Sequence, residues 1–254
     1  MGPTALSGGG GTDTLRLSAN GQTVLPTALD KLSSIEVFDL AGAGNSITLG
    51  AISAGIATIV GGTGPNTFDA SGYNSAPNAL TWNMNASNGS DSLLGGANGN
   101  LFQIRNGANL QNSVITGNTG NDTLIGGAGA DALNGGLGSD TASYANAVAG
   151  VTASLGNAGL NTGDAAGDAY SSIENLLGSN NNDTLYGDGA ANAIDGGTGN
   201  DTLVGGAGAD ALTGGSGTDV ADYSASASAV TAYLTGTAGT GGDAAGDVLS
   251  GIEN

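Results

Sequence analysis

The sequence predicts an all-β chain, a right-handed parallel β-roll or β-solenoid, elongated and carrying irregular inserts. Three observations point there. A nine-residue unit, G-G-x-G-x-D-x-U-x with U a large apolar residue, recurs in two runs, Gly117 to Tyr144 and Gly178 to Tyr223. Upstream, short β-branched runs recur every ten or so residues between Gly, Asn and Ala, with no stretch of 3.6-residue periodicity. Finally, 50 of the 254 residues are Gly and only 4% are aromatic, which suits a thin core of small stacked side chains rather than a thick globular one.

Charge narrows the function classes. The formal net charge is -19, and the only basic residues are Arg16, Lys31 and Arg105. Nucleic acid, anionic lipid and acidic polysaccharide all need their charge neutralised by the protein, so they are poor direct partners. Divalent cations are the natural counterpart. There is no Cys for a disulfide framework and no His for transition-metal or base chemistry. The start, MGPTALSGGG, has no basic stretch followed by an apolar run, so it is no Sec-type signal, and no run of 18 apolar residues predicts membrane insertion. No catalytic residue is predicted: the basic residues stand apart from acidic clusters, there is no GxSxG, and no serine has a base to activate it.

Taken in order, SGGGGTDTLRL opens with a lone nonapeptide, Asp13 in sixth place and Leu15 as its apolar residue. Residues 18–33, with Pro26 and Lys31, read as an irregular insert. The runs IEVFDL, SITLG, IATIV and TFDA then read as strands. GGTGPNTFD has Asn66 in sixth place beside Pro65, so its turn is expected to survive and its metal to be lost. LTWNM holds Trp82, expected to cap or pack the thin core. Residues 87–103 give two imperfect units with Asp91 and Asn100 in sixth place. Residues 1–116 are thus expected to be a degenerate solenoid part with an eroded metal ladder.

From Gly117 the units run GNTGNDTLI, GGAGADALN and GGLGSDTAS; from Gly178 they run GSNNNDTLY, GDGAANAID, GGTGNDTLV, GGAGADALT and GGSGTDVAD. A lone Asp in a turn needs no metal, since it can bond its own backbone. Recurrence at every ninth residue beside a Gly-Gly pair needs another cause. Calcium takes six to eight oxygen ligands, and glycine turns let carbonyls converge. Parallel strands about 4.8 Å apart would set successive carboxylates side by side. Two bare charges at that distance repel by about 1 kcal/mol in water and several at a protein surface. A ladder of this kind opposes its own folding until a cation enters.

These units resemble the repeats-in-toxin (RTX) nonapeptides of hemolysin-type calcium-binding proteins. The resemblance implies that six residues of each unit form a turn and three a strand, that two units make one coil, and that several Ca2+ ions sit between neighbouring turns. It assigns the sixth-position residues as ligands: Asp122, Asp131 and Asp140, then Asp183, Asn192, Asp201, Asp210 and Asp219. Backbone carbonyls of Gly117, Gly126, Gly135, Gly196, Gly205 and Gly214 would complete the set. Asn192 lacks charge and implies a weaker site. Asp13 and Asp91 are outlying candidates.

Two inserts follow the runs, and aligning them gives a 79-residue repeat: Asp140 with Asp219, Tyr144 with Tyr223, Asp164 with Asp243, Asp168 with Asp247, Glu174 with Glu253. Each GDAAGD segment, Asp164 with Asp168 and Asp243 with Asp247, reads either as a further calcium site or as a polar surface loop. Asp188, Asp195 and Asp222 are expected to be solvated, and the N-x-T triplets at Asn121, Asn182 and Asn200 to be by-products of the nonapeptide. The expected divisions are 1–116, 117–177 with its insert, and 178–254 with its insert. Gly251 to Asn254 reads as a cut through a longer array, and Ala5 to Leu15 resembles what should follow it, which fits either head-to-tail self-association or a fragment excised from that array. The function expected is an extracellular, secreted calcium-binding structural or adhesive protein of the surface-layer kind, non-enzymatic, whose roll folds on calcium. The alternative is a secretion and folding appendage of an enzyme or toxin exported by the type I route. Ice binding through T-G-N-D turns ranks lower, since TGND occurs only at Thr119 and Thr198.

Overall fold

The computed structural model describes residues 6–7, 14–17, 23–24, 32–33, 37–40, 45–48, 58–61, 65–71, 81–85, 91–105 and 112–254. The chain divides into two compact units, Met1–Gly126 with Asp131–Asp140, and Gly127–Ala130 with Thr141–Asn254. Each is a parallel β-solenoid. Helix among the described residues is confined to three 3-10 turns, Ala158–Leu160, Gly163–Ala165 and Gly242–Ala244.

In the first unit, apart from a two-stranded parallel pairing of Leu6–Ser7 with Leu32–Ser33, two long parallel sheets run along the coils. One carries Thr23–Val24, Ser46–Thr48, Thr67–Asp69, Ser92–Leu94, Val114–Thr119 and Ala132–Leu137 in that order; the other carries Thr14–Leu17, Val37–Leu40, Thr58–Gly61, Thr81–Asn85, Leu101–Arg105 and Thr123–Ile125. In the second unit one sheet holds Thr141–Ser143, Asn175–Leu177, Ala193–Thr198, Ala211–Ser216 and Val248–Ser250. Its other sheet holds Thr152–Ser154, Thr184–Tyr186, Thr202–Val204 and Val220–Ala221. Alternate nonapeptides share a sheet: Ile115 pairs with Leu133, Ile194 with Leu212, and Leu185 with Leu203. Two nine-residue units therefore make one coil.

The core follows from that register. The middle residue of each strand triplet points in and its neighbours point out, because successive side chains alternate across a strand. Phe68, Leu93, Ile115 and Leu133 stack in one column of the first unit, with Phe102 and Leu124 in the other. Leu176, Ile194, Leu212 and Leu249 stack in the second unit, beside Leu185 and Leu203. Burying each such side chain contributes about 1.5–3 kcal/mol. Ala142 and Ala153 are the thin points, two triplets with the sequence Thr-Ala-Ser.

The inserts are largely irregular backbone punctuated by short elements. The first lengthens a coil, so that Ala142 pairs with Leu176, and it contributes its own strand, Thr152–Ser154. Both inserts are pinched by an antiparallel bridge, Thr152 to Thr162 and Thr231 to Thr240, and both place Gly-Asp-Ala in a 3-10 turn. The 79-residue sequence repeat is thus a repeat of structure. Trp82 lies in strand Thr81–Asn85 in register with Phe102, but the packing of its side chain falls outside the described residues, as do Asp13, Pro26 and Lys31. Arg16 pairs across strands with Asp39 at 3.2 Å, a single carboxylate rather than an acidic cluster. That pair is exposed and adds little to stability.

Leu203→Ala in the calcium-loaded protein is expected to cost about 2–5 kcal/mol, whereas Thr202→Ala beside it should stay within about 0.5 kcal/mol; denaturant unfolding of the two variants measures the contrast.

Candidate metal centre

Among the described residues the sixth residue of each nonapeptide turn is buried, although most of these residues are acidic. Asp122, Asp131, Asp140, Asp183, Asp201, Asp210 and Asp219 are at most 2% exposed. Position is fixed by the fold: the sixth residue immediately precedes the triplet whose middle residue enters the core, so its own side chain turns inward. One carboxylate oxygen is used between coils. Asp140 Oδ1 accepts the backbone N–H of Asp122 at 2.7 Å, Asp201 Oδ1 that of Asp183 at 2.8 Å, and Asp219 Oδ1 that of Asp201 at 2.8 Å. Asp131 takes the Ser113 N–H at 2.7 Å and Asp210 the Asn192 N–H at 2.9 Å.

The other oxygen is where a cation fits. Oδ2 of Asp122, Asp201, Asp210 and Asp219 is buried with no hydrogen-bond donor. Leaving a buried charged oxygen unsatisfied is costly. The oxygen lies over the first glycine of its own turn, and the spacing explains that glycine. A Cβ on Gly196 would collide with Asp201 Oδ2 and with the Gly214 carbonyl of the next coil, and one on Gly117 with Asp122 Oδ2 and the Gly135 carbonyl. Gly126 and Gly205 abut Asp131 and Asp210 Oδ2 in the same way. The second and fourth positions are glycine for a different reason, positive φ, as at Gly197 (93°) and Gly199 (128°). Carboxylate and carbonyl oxygens converging on a small cradle are the donor set of a hard divalent cation. Among the described residues no three acidic side chains come together, so carbonyls would have to supply part of any ligand set.

Burial pushes the carboxyls of Asp122, Asp201 and Asp210 up to about 6. Facing carboxylates add to it, Asp140 at Asp122, Asp183 and Asp219 at Asp201, and Asp247 at Asp210.

Not every sixth position is equal. Asp183 is closed by protein donors: Ser179 N–H at 2.6 Å reaches Oδ2, while the Ser179 hydroxyl and the Val151 N–H reach Oδ1. Asn192 Oδ1 accepts the Asp188 N–H at 2.9 Å and its amide donates to the Glu174 carbonyl at 3.0 Å. In the first unit the ladder continues with amides. Asn66 donates both its N–H and its side-chain amide to Asp91 Oδ1, and Asn100 does the same to Asp122 Oδ1. An amide carries donor and acceptor together, so these positions close on protein atoms.

The GDAAGD carboxylates separate. Asp168 and Asp247 are buried in sixth-position slots ahead of Ala169–Ser171 and Val248–Ser250, and the Tyr144 and Tyr223 hydroxyls donate to them at 2.7 and 2.8 Å. Asp164 and Asp243 sit half-exposed on the 3-10 turns. Glu253 was not expected in the ladder, yet its side chain accepts the Asp219 N–H at 2.8 Å. The signal was available: Ile252, like Ile173, is buried beside a Glu that ends the insert. Asp195 and Asp222 cap their own turns through the N–H groups of Gly197 and Ser224, and the bonds from Ser224 hold Asp222 below the usual carboxylate range. A second ladder went unpredicted. Asn121, Asn182 and Asn200, in fifth place, accept the N–H groups of Ser139, Asn200 and Thr218. The N-x-T triplets therefore have a structural use.

The family model of the RTX calcium-binding nonapeptide repeat (4 copies) matches residues 108–142, 168–203 and 186–221. These segments are RTX calcium-binding repeats, and they take in the sixth-position residue of all eight nonapeptides in the two runs. No curated protein matches the chain.

Two outcomes follow from the turn geometry. Because the folded pKa values lie above the free value of 3.8, the metal-free fold is most stable below about pH 4 and loses that contribution as pH rises through about 6. With chelator present, β-sheet circular dichroism should therefore fall between about pH 5 and 7, and saturating calcium should abolish the fall. Gly196→Ala should lower stability by about 1–3 kcal/mol, while Gly189→Ala, whose Cβ would meet open space, should be neutral; thermal unfolding in calcium compares them.

Proposed function

We propose that the chain is an extracellular calcium-binding structural protein, of an adhesive or surface-layer kind, whose solenoid assembles when calcium enters its turns. The observation that carries this reading is the set of buried, donorless Oδ2 atoms at Asp122, Asp201, Asp210 and Asp219, all inside RTX repeats. Asp131 and Asp140 join them as proposed ligands, together with the carbonyls of Gly117, Gly126, Gly135, Gly196, Gly205 and Gly214. Asp183 and Asn192, already closed by protein donors, would bind more weakly. Residues 117–177 and 178–254 would be the two repeating modules.

The mechanism is folding linked to binding. Without metal, the buried carboxylates repel and lack donors, and a chain of net charge -19 stays expanded. Calcium supplies the missing positive charge, bridges coil to coil, and converts binding free energy into folding free energy. A secreted location fits, because RTX repeats are typical of secreted proteins and calcium is plentiful outside cells. No helix among the described residues is long and apolar enough to cross a membrane. Self-association would be head to tail, a coil of one copy stacking on a coil of the next as coils stack within the chain.

Circular dichroism during a calcium titration tests the reading, with magnesium as control: a disordered spectrum should become β-rich with calcium and not with magnesium. Asp201→Ala should weaken calcium binding in the second run and leave the first run largely intact, since coils couple mainly to their neighbours. Light scattering of the calcium-loaded protein should show mass rising with concentration; a constant monomer mass removes the self-association.

A further inference from the structure

We propose that Tyr144 and Tyr223 take the place of a cation at Asp168 and Asp247, so that these two ladder carboxylates lock their coils without metal. The inference rests on the calcium reading of the other turns and extends it by exempting two positions. Asp247 makes the ordinary bond between coils, its Oδ1 accepting the Asp210 N–H at 2.8 Å, as Asp219 Oδ1 accepts that of Asp201. The difference lies in Oδ2. At Asp201, Asp210 and Asp219 that atom is buried without a donor, whereas at Asp247 it receives the Tyr223 O–H at 2.8 Å. The tyrosine bond recurs 79 residues earlier, where Tyr144 donates to Asp168 Oδ2 at 2.7 Å and also contacts the Tyr170 hydroxyl.

A hydroxyl is well matched to this role. It brings one proton to one oxygen, and a bond to a carboxylate is about twice as strong as one between neutral groups. Burial raises both tyrosine hydroxyls above their ordinary value, so they keep the proton they donate. Asp168 and Asp247 are themselves 0% and 1% exposed, so bulk solvent does not reach them beside the phenol. Each 79-residue module would then alternate calcium-bridged turns with one metal-independent clasp, placed where the chain leaves the regular coil for its loop. Such a clasp closes the loop coil without an ion of its own once calcium has assembled the turns beside it.

The test counts calcium bound to the full chain by equilibrium dialysis, using wild type, Asp201→Asn, Asp168→Asn and Asp247→Asn. Asp201→Asn should lose bound calcium; Asp168→Asn and Asp247→Asn should keep the wild-type count. In parallel, Tyr223→Phe at saturating calcium should speed exchange of the Asp210 amide hydrogen about tenfold, the loss of one charge-assisted bond, with the calcium count unchanged. Tyr144→Phe should lower the melting temperature by about 5 °C and serves if Tyr223→Phe does not fold. Loss of calcium in Asp168→Asn or Asp247→Asn overturns the proposal, as does wild-type exchange and melting in both tyrosine variants. A wild-type count in Asp201→Asn would instead overturn the calcium assignment of the turns.

Discussion

The structure depends on one contact: a buried side-chain oxygen at the sixth position of a turn accepts the backbone N–H at the same position of the preceding coil. It is repeated from Asn45 in the first unit to Glu253 in the second. The contact satisfies an amide that faces the interior, and it ties each coil to the one before. Its cost is the second oxygen. A carboxylate used this way brings a charge into the protein with half its acceptors idle, and every successive coil adds another close by.

The chain meets that cost in four ways, one of them the Ser179 N–H that reaches Oδ2 of Asp183. Asn66 and Asn100 supply a side-chain N–H of their own, so the cost never arises for the amide itself. Asp168 and Asp247 receive a tyrosine hydroxyl. Asp122, Asp201, Asp210 and Asp219 have neither, and the glycine-lined cradle beside them is suited to a cation. The fifth-position asparagines brace the same coils from outside and in the opposite sense, Asn121 reaching forward to Ser139 while Asp140 reaches back to Asp122. Two adjacent residues thus clamp one pair of coils from both directions.

Much of this was legible in the sequence because the solenoid writes itself with short periods. The nine-residue interval marked the inward residues such as Leu124 and Leu203, while the strand triplets and the alternate-unit stacking came from the resemblance to RTX repeats. The glycines were legible in kind, though not in their division between positive φ at Gly197 and steric room at Gly196. What escaped was the role of residues outside the motif. Asp168 and Glu253 reach ladder slots through loops whose length breaks the nine-residue count, and only the three-dimensional register returns them to phase. The partnership of Tyr144 with Asp168 spans 24 residues and leaves no local pattern, only its recurrence at Tyr223 and Asp247.

The central claim, that the sixth-position carboxylates join coils only when a cation neutralises them, is tested most directly by hydrogen exchange at the ladder amides of Asp122, Asp183 and Asp201. Measured near neutral pH in calcium and again in chelator, these amides should be strongly protected in the first case and exchange at the rate of an unfolded chain in the second. Equal protection in both would contradict the account, because the carboxylates would then be holding the coils together with their charge uncompensated.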